Sequence, residues 1–420
     1  MKFKDDEWKK VKIEDLGEVI GGGTPSTKVD EYYGGNIPWI TPKDLSGYTK
    51  KYIFAGERNI TDKGLKNSSA KLLPKGTVLF SSRAPIGYIA IAGQKVSTNQ
   101  GFKSVIPDEE VTSSEFLYYL LKYNTEKIKN KSSGSTFSEI SGKSMKNVEV
   151  VIPNKKTQSK ISNILSSFDQ KIEVNNKIIA NLEEQAQAIF KSWFIDFEPF
   201  QDGEFVESEL GLIPEGWGVK KVNDICNLKI GRTPPRKEEK WFSDRSGVKW
   251  ISIKDMGNSN MFIDKSTEYL TEEAVDKFNV PVADAGVLLL SFKLTVGRLA
   301  ITSEPMCTNE AIAQFSDSKL DSLYLYLYFK EFPFSKLGNT SSIGNAVNSK
   351  IIKDIDVLVP EKTVQERFAD FISPIANLIN NLNKENNTLS QTRNTLLPKL
   401  MSGEIDVSDI KLCVEEESHV

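Results

Sequence analysis

Two stretches of this chain carry apolar residues at spacings that alternate between four and three. The first runs through Ile161, Leu165, Phe168, Ile172, Asn175, Ile179, Leu182, Ala186, Ile189 and Trp193. The second runs through Phe368, Ile372, Ile375, Ile379, Leu382, Asn386, Leu389, Arg393, Leu396 and Leu400. A seven-residue repeat sustained this far predicts a helix with one apolar seam, which needs a partner helix. From Ile161 to Trp193 such a helix is roughly 50 Å long at about 1.5 Å per residue. An antiparallel pairing about a pseudo-twofold axis sets Ile161 opposite Leu400, Trp193 opposite Phe368, Leu182 opposite Ile379 and Ala186 opposite Ile375. Asn175 then meets Asn386, a register-setting pair that costs stability and fixes alignment. Phe168 meets Arg393, which fits if the arginine stem lies over the ring or the layer is open at its edge. In the other arrangement each helix docks on its own domain and both asparagines face solvent.

Outside these stretches the pattern changes. Short apolar runs such as Val78 to Phe80 and Val148 to Ile152 have strand character and are punctuated by Gly, Pro and Asn. Glu115 to Tyr123 and Leu323 to Phe329 read as helices. These segments also repeat. Trp8-Lys-Lys-Val-Lys-Ile returns as Trp217-Gly-Val-Lys-Lys-Val, and Gly22-Gly-Thr-Pro25 as Gly231-Arg-Thr-Pro234, an offset of about 209. Trp39-Ile-Thr-Pro-Lys-Asp44 matches Trp250-Ile-Ser-Ile-Lys-Asp255. Gly76 to Ser81 matches Gly286 to Ser291, Asn99 falls on Asn309, and Lys146 to Pro153 matches Lys353 to Pro360. The order never breaks, so the chain is a tandem duplication. The expected fold is α+β: two mixed α/β domains (1–154 and 201–360), helical spacers at 155–200 and 361–405 forming an antiparallel coiled coil, and an acidic tail at 406–420.

Bulk properties narrow the class. A chain of 420 residues exceeds one ordinary hydrophobic core. Met1 to Lys10 lacks the apolar region of a signal peptide, and runs such as Val287 to Leu290 are too short to span a bilayer. The cysteines, Cys226, Cys307 and Cys413, are far apart and odd in number, which points to a reducing cytoplasmic setting. The one histidine, His419, lies beside Glu415, Glu416 and Glu417, so neither a zinc site nor a histidine-based acid–base site is expected. The net charge of −3 hides an asymmetry: residues 1–154 carry 23 Lys and Arg against 18 Asp and Glu, and residues 201–360 carry 19 against 23.

Several motifs then fall into a known order. They are Phe190-Lys-Ser-Trp-Phe-Ile-Asp-Phe197, Ile213-Pro-Glu-Gly-Trp217, Leu396-Leu-Pro-Lys-Leu-Met-Ser-Gly-Glu-Ile405, Trp39 to Leu45 and Asn99-Gln-Gly-Phe102. Across nearly its whole length the chain resembles the specificity subunit of type I restriction–modification systems. The second copy departs from the pattern, with Asn309-Glu-Ala-Ile312 in place of Asn99-Gln-Gly-Phe102. The resemblance implies two target-recognition domains, each reading half of a bipartite site on double-stranded DNA. It also implies helices that separate the domains and dock modification subunits. S-adenosylmethionine chemistry would then reside on those subunits, and ATP- and Mg-dependent translocation and cleavage on restriction subunits.

Catalytic signatures are missing from the chain itself. Asn36-Ile-Pro-Trp39 imitates a methyltransferase motif, but its counterpart Gly247-Val-Lys-Trp250 keeps only the tryptophan, so Trp39 and Trp250 read as packing residues. Gly142-Lys-Ser144 lacks the earlier glycine of a phosphate loop, where Phe137 stands. No catalytic residue and no metal ligand is assigned. Two other readings stay open: a scaffold binding proteins through its coiled coil, and an enzyme with an unrecognised site.

Base edges are read by side chains that donate and accept in fixed geometry, and phosphates are held by Lys, Arg, Ser, Thr and amides. Two copies that share a scaffold but read different half-sites should differ at their reading loops. On that basis the DNA-contact candidates are Thr24 and Ser26 with Arg232 and Arg236, Lys43 with Lys254, Arg83 with Lys293, and Asn99 and Gln100 with Asn309. The polar turns add Ser135 and Thr136, and in the second copy Asn339 and Ser341.

Overall fold

Strand residues 78–82 read Val-Leu-Phe-Ser-Ser, and all five are buried, so this strand belongs in the middle of a sheet covered on both faces. A computed structural model, which describes residues 8–83, 85–132, 138–337 and 347–410, shows how. The strand is third in a sheet ordered Gly17–Gly21, Lys103–Pro107, Val78–Ser82, Ile86–Ala92, Tyr52–Ile53, antiparallel except for the last pair. Alternate side chains face opposite ways along a strand. Val78 and Phe80 therefore enter a core with Phe116 and Leu120 of helix Ser114–Tyr123, while Leu79 enters another with Ile40, Ile53 and Val96. A three-stranded sheet, Arg58–Ile60, Tyr33–Ile40, Ser97–Thr98, and the pair Trp8–Lys12 with Glu149–Pro153 complete this part.

The second copy builds the same arrangement. Its sheet is ordered Asn227–Ile230, Ile312–Ser316, Leu288–Ser291, Leu299–Thr302, Phe262–Ile263, position for position the first. Leu288 and Leu290 enter the core of helix Ser322–Glu331, and Leu289 faces the other way. The companion sheet is longer, with Phe242–Ser243 and Val282–Ala283 at its edges, and Gly218–Lys221 pairs with Asp356–Val359 as in the first copy. The protein is thus mixed α/β with two repeated domains. The helices expected at Glu115 to Tyr123 and Leu323 to Phe329 form as Ser114–Tyr123 and Ser322–Glu331. Gly142 lies in a short helix, Gly142–Lys146, capped by Ser141.

Two helices of 40 residues each follow the domains, Lys155–Phe194 and Lys362–Met401. Their starts repeat one device: Gln158 donates to the Pro153 carbonyl at 3.0 Å, and Gln365 to the Pro360 carbonyl at 2.7 Å. Asn154 accepts from Thr157 N and caps the first helix; at its far end Ile195 N and Asp196 N donate to Lys191 O, and Phe197, left-handed at φ 52°, leads into the turn Glu198–Phe200.

The chain divides into two compact units. One holds residues up to Val174 and those from Asn386 on; the other is Asn175–Glu385. In the first unit Ile161 and Leu165 share a core with Leu397, Leu400 and Met401. In the second, Phe194 packs on Phe368 with ring centroids 4.7 Å apart, and Trp193 on Phe368 at 5.7 Å. At the other end of that unit Asn175 Nδ2 donates to Glu385 at 2.8 Å, so the helix segments run antiparallel there. Burying a ring such as Phe368 contributes about 2–3 kcal/mol. The first long helix also packs on domain residues, through Ile161 and Leu165 in the core of the first domain and through Phe190 against Tyr324 of the second.

Arg393 has a partner that the layer alone did not name. Its guanidinium binds the Asp169 carboxylate, and both side chains are largely buried. Asn175 and Asn386 are buried as well. Cys226 and Cys307 are buried thiols, pushed up to about 12 by desolvation. Cys413 and His419 lie outside the described residues. Among those described, no helix is long and apolar enough to cross a membrane.

Candidate nucleic-acid interface

Backbone hydrogen bonds gather four loops at one edge of the first domain. Gly23 N donates to Thr98 O at 2.9 Å, and Gly22 N to Phe102 O, which fastens the 22–26 loop to the 98–102 turn. Ser82 N donates to Gly101 O at 2.7 Å and adds the loop that carries Arg83. Asn99 N donates to Ile40 O at 3.0 Å and adds the strand end that leads to Lys43. The contact is too close for a side chain at Gly22, where a Cβ would stand 1.9 Å from Asn99 O. The 22–26 loop therefore requires glycine for approach, not for an unusual φ.

The second domain repeats this cluster. Arg232 N donates to Thr308 O at 2.9 Å, Phe292 N to Ala311 O at 2.9 Å, and Asn309 N to Ile251 O at 3.0 Å. A Cβ on Gly231 would stand 2.2 Å from Thr308 Oγ1. The tryptophans act as the struts expected of packing residues: Trp39 Nε1 donates to Gly23 O and Trp250 Nε1 to Arg232 O, each at 3.0 Å. Asp44 and Asp255 brace the neighbouring turns. Asp44 accepts from Thr41 N, Thr41 Oγ1 and Glu57 N, while Asp255 accepts from Ser252 N, Ser252 Oγ and Thr267 N.

The predicted residues among those described have definite places on this scaffold. Thr24 donates to the Gln100 side chain, and in the second copy Thr233 donates to Glu310. Asn99 and Asn309 accept from Gly101 N at 2.9 Å and Ala311 N at 3.0 Å. Their side-chain carbonyls hold the turn, and their amide groups remain the part able to donate elsewhere. Ser26 is exposed. Lys43 pairs with Glu57 at 2.7 Å while staying 79% exposed, an ion pair too solvated to hold it from a phosphate. Lys254 and Lys293 are exposed.

Three of the candidate arginines are engaged within the protein. Arg83 lies 3.4 Å from Glu139, which also meets Lys103 at 3.5 Å. Arg236 forms a two-pronged pair with Glu268 at 2.7 and 2.9 Å and stacks on Phe242 and Trp250, 4.3 and 4.5 Å from their centroids. Arg232 donates to the Phe278 carbonyl at 3.1 Å. The cluster brings together Thr24, Arg83, Asn99 and Gln100 in one domain, and Arg232, Lys293 and Asn309 in the other. Ser135, Thr136, Asn339 and Ser341 lie outside the described residues, and Asn175 and Asn386 sit on the long helices instead.

Sequence reasoning passed over Glu139, Glu268 and Glu310. Only Glu310 had a signal: it occupies the place of Gln100 in the aligned turn. The other two are distant in sequence from the arginines they bind.

Each domain thus presents one rigid, backbone-fastened frame whose outward side chains differ from copy to copy. A family model described as type I restriction modification DNA specificity domain matches residues 5–184 and 214–391, one match for each repeat. The type I restriction enzyme MjaIX specificity subunit of Methanocaldococcus jannaschii is 37% identical over 96% of this chain and 95% of its own. The type I restriction enzyme HindI specificity subunit of Haemophilus influenzae is 27% identical over 95% and 100%. In fold the chain is similar to the crystal structure of the S subunit of a type I restriction–modification system from M. genitalium, with a TM-score of 0.53, 17% identity, and coverage of 95% of this chain and 98% of that one. The duplicated frame and these matches have one meaning: the chain belongs to the type I restriction modification DNA specificity domain family.

Proposed function

We propose that the protein is the sequence-specific DNA-binding subunit of a type I restriction–modification complex, with each domain reading one half of a bipartite site on double-stranded DNA. The observation that carries this reading is the four-loop cluster, built twice with identical backbone bonds and different outward side chains. A shared frame with altered tips is what two readers of two different half-sites require. Thr24, Ser26, Lys43, Arg83, Asn99 and Gln100 serve one half-site, and Arg232, Arg236, Lys254, Lys293 and Asn309 the other. Ser135, Thr136, Asn339 and Ser341 extend these sets.

In this reading the long helices form an antiparallel coiled coil, registered by Asn175 and Asn386, that spaces the domains (1–154 and 201–360) and docks modification subunits. The chain is not itself an enzyme. S-adenosylmethionine belongs to the modification subunits, and ATP and Mg to restriction subunits, in a cytoplasmic assembly.

Methylome sequencing of a host expressing the complete system, with and without this chain, tests the proposal. The expected result is one split motif, methylated only when the chain is present. Methyl transfer by the purified chain alone would make it an enzyme. DNA affinity indifferent to salt and sequence would make it a protein scaffold.

A further inference from the structure

Among the described residues one apolar side chain stands apart. Leu294 is 95% exposed, whereas the next most exposed large hydrophobic, Phe371, reaches 59%. Leu294 is also one of the few non-glycine residues with positive φ, at 63°. Thr295 N donates to Lys293 O at 2.7 Å across it, so residues 293–295 form a γ-turn of the rare, strained hand. Strain of this kind persists only where surrounding structure holds it in place.

The surroundings do hold it. The buried hydroxyl of Ser291 donates to Thr295 O at 2.6 Å and accepts from Arg298 N at 3.0 Å. Phe292 N and Gly297 N add bonds to Ala311 O and Ser291 O, both 2.9 Å. The first copy has the same lock, with Ser81 Oγ donating to Pro85 O at 2.7 Å and accepting from Tyr88 N at 2.8 Å. The lock is common to both domains; the tip is not. In the first the tip carries Arg83 and Pro85, and in the second Lys293, Leu294 and Thr295.

We infer that Leu294 is a base-reading residue whose side chain packs on the C5-methyl of a thymine in the major groove of the second domain's half-site. A thymine methyl is the one apolar group that base edges present in that groove, and an aliphatic side chain is its natural contact. Lys293 beside it is exposed, its ammonium 5.4 Å from the Phe292 ring centroid with no carboxylate paired to it among the described residues, so it can hold an adjacent phosphate and set the height of the leucine. The γ-turn thrusts the side chain outward in advance of binding, so the backbone there needs no rearrangement and only the leucine rotamer is left to be fixed.

The inference rests on the DNA-reading role proposed above, and the test separates the two. The chain assembled with its modification subunits is titrated with duplexes carrying its methylome-derived motif, each half-site thymine replaced in turn by deoxyuridine. One replacement in one half-site should weaken binding about fourfold, the worth of one buried methyl group. Leu294→Ala should abolish that difference at the same position, leave the other half-site unaffected, and leave the melting temperature of the free protein unchanged. Leu294→Gly, which relieves the turn, should lose the discrimination while folding at least as well. A motif with no thymine sensitive to the change, or a Leu294→Ala protein that still distinguishes thymine from uracil, overturns the inference and leaves the DNA-reading role intact. Equal weakening on every sequence, with loss of DNA bending, would make Leu294 a wedge between base steps and also overturn it. Absence of any sequence-specific binding by the wild type overturns the DNA-reading role itself.

Discussion

Asp169 and Arg393, one on each long helix, form a largely buried ion pair in the first unit, where the aligned positions of the second unit hold Ala376 and Ala186. The pair is anchored further by Tyr119, whose hydroxyl donates to the other Asp169 oxygen. The same helix layer is therefore charged in one repeat and small and apolar in the other. Breaking a buried pair leaves an uncompensated charge, whereas removing both partners does not. Asp169→Ala or Arg393→Ala alone should cost about 3 kcal/mol. The double alanine variant should cost clearly less than the sum, because two alanines already fit this layer in the other unit. Urea unfolding of all four proteins checks it, and strict additivity would show that the pair is not coupled.

Gly22 and Gly231 test the frame itself. A methyl group at either position collides with backbone or with a threonine hydroxyl. Gly22→Ala should push the 22–26 loop from the 98–102 turn, cost about 2 kcal/mol, and degrade the half-site read by the first domain only. Gly231→Ala should do the same for the other. Methylome sequencing of the two variants reads the outcome. Damage to both half-sites by either one would contradict separate frames.

Arg83→Ala should relax one half-site and spare the other. Removing a phosphate-contacting cation lowers the salt slope of binding by about one, whereas removing a base contact relaxes one position of the motif and leaves the slope nearly unchanged. Binding isotherms at several salt concentrations distinguish the two roles. Loss at both half-sites would contradict the modular reading.

Stability should rise with pH above neutrality. Burial, with the Arg393 guanidinium nearby, lowers Lys122 to about 8, against the opposing pull of Asp169. Below pH 8 the ammonium is charged in both states and the folded state bears the full burial penalty. Between pH 8 and the ordinary lysine value of 10.5 the folded protein has released its proton and the unfolded chain has not, so raising pH stabilises. Lys51, shifted down mainly by burial, acts in the same direction. From about pH 9 the rise is opposed and then reversed, because the buried thiols of Cys226 and Cys307, and above pH 10 the hydroxyls of Tyr118 and Tyr119, all pushed up by burial, ionise first in the unfolded chain. Lys122→Met should therefore exceed wild type in urea midpoint at pH 7, with the gap narrowing by pH 9.5. A gap independent of pH would show that the ammonium is not desolvated.

The order of residues along the chain was enough for the duplication, the two helical seams and the strand runs, because period and repetition are local properties that folding preserves. It sufficed also for the loops that cluster: aligning the two copies pointed to Thr24, Arg83, Asn99 and Gln100 before any contact was known. What the sequence left open were partnerships across long separations. Nothing near Arg393 names Asp169, 224 positions away. Arg236 read as a free guanidinium until the fold set Glu268 beneath it and two aromatic rings against it. No pattern in the sequence marks Leu294; only the backbone turn at φ 63° sets it outward. Hydrophobic period decides which face of an element is buried. Only the closed tertiary structure decides which charge meets which, because Coulomb attraction and hydrogen bonding act between atoms that the chain path must first bring within a few ångströms.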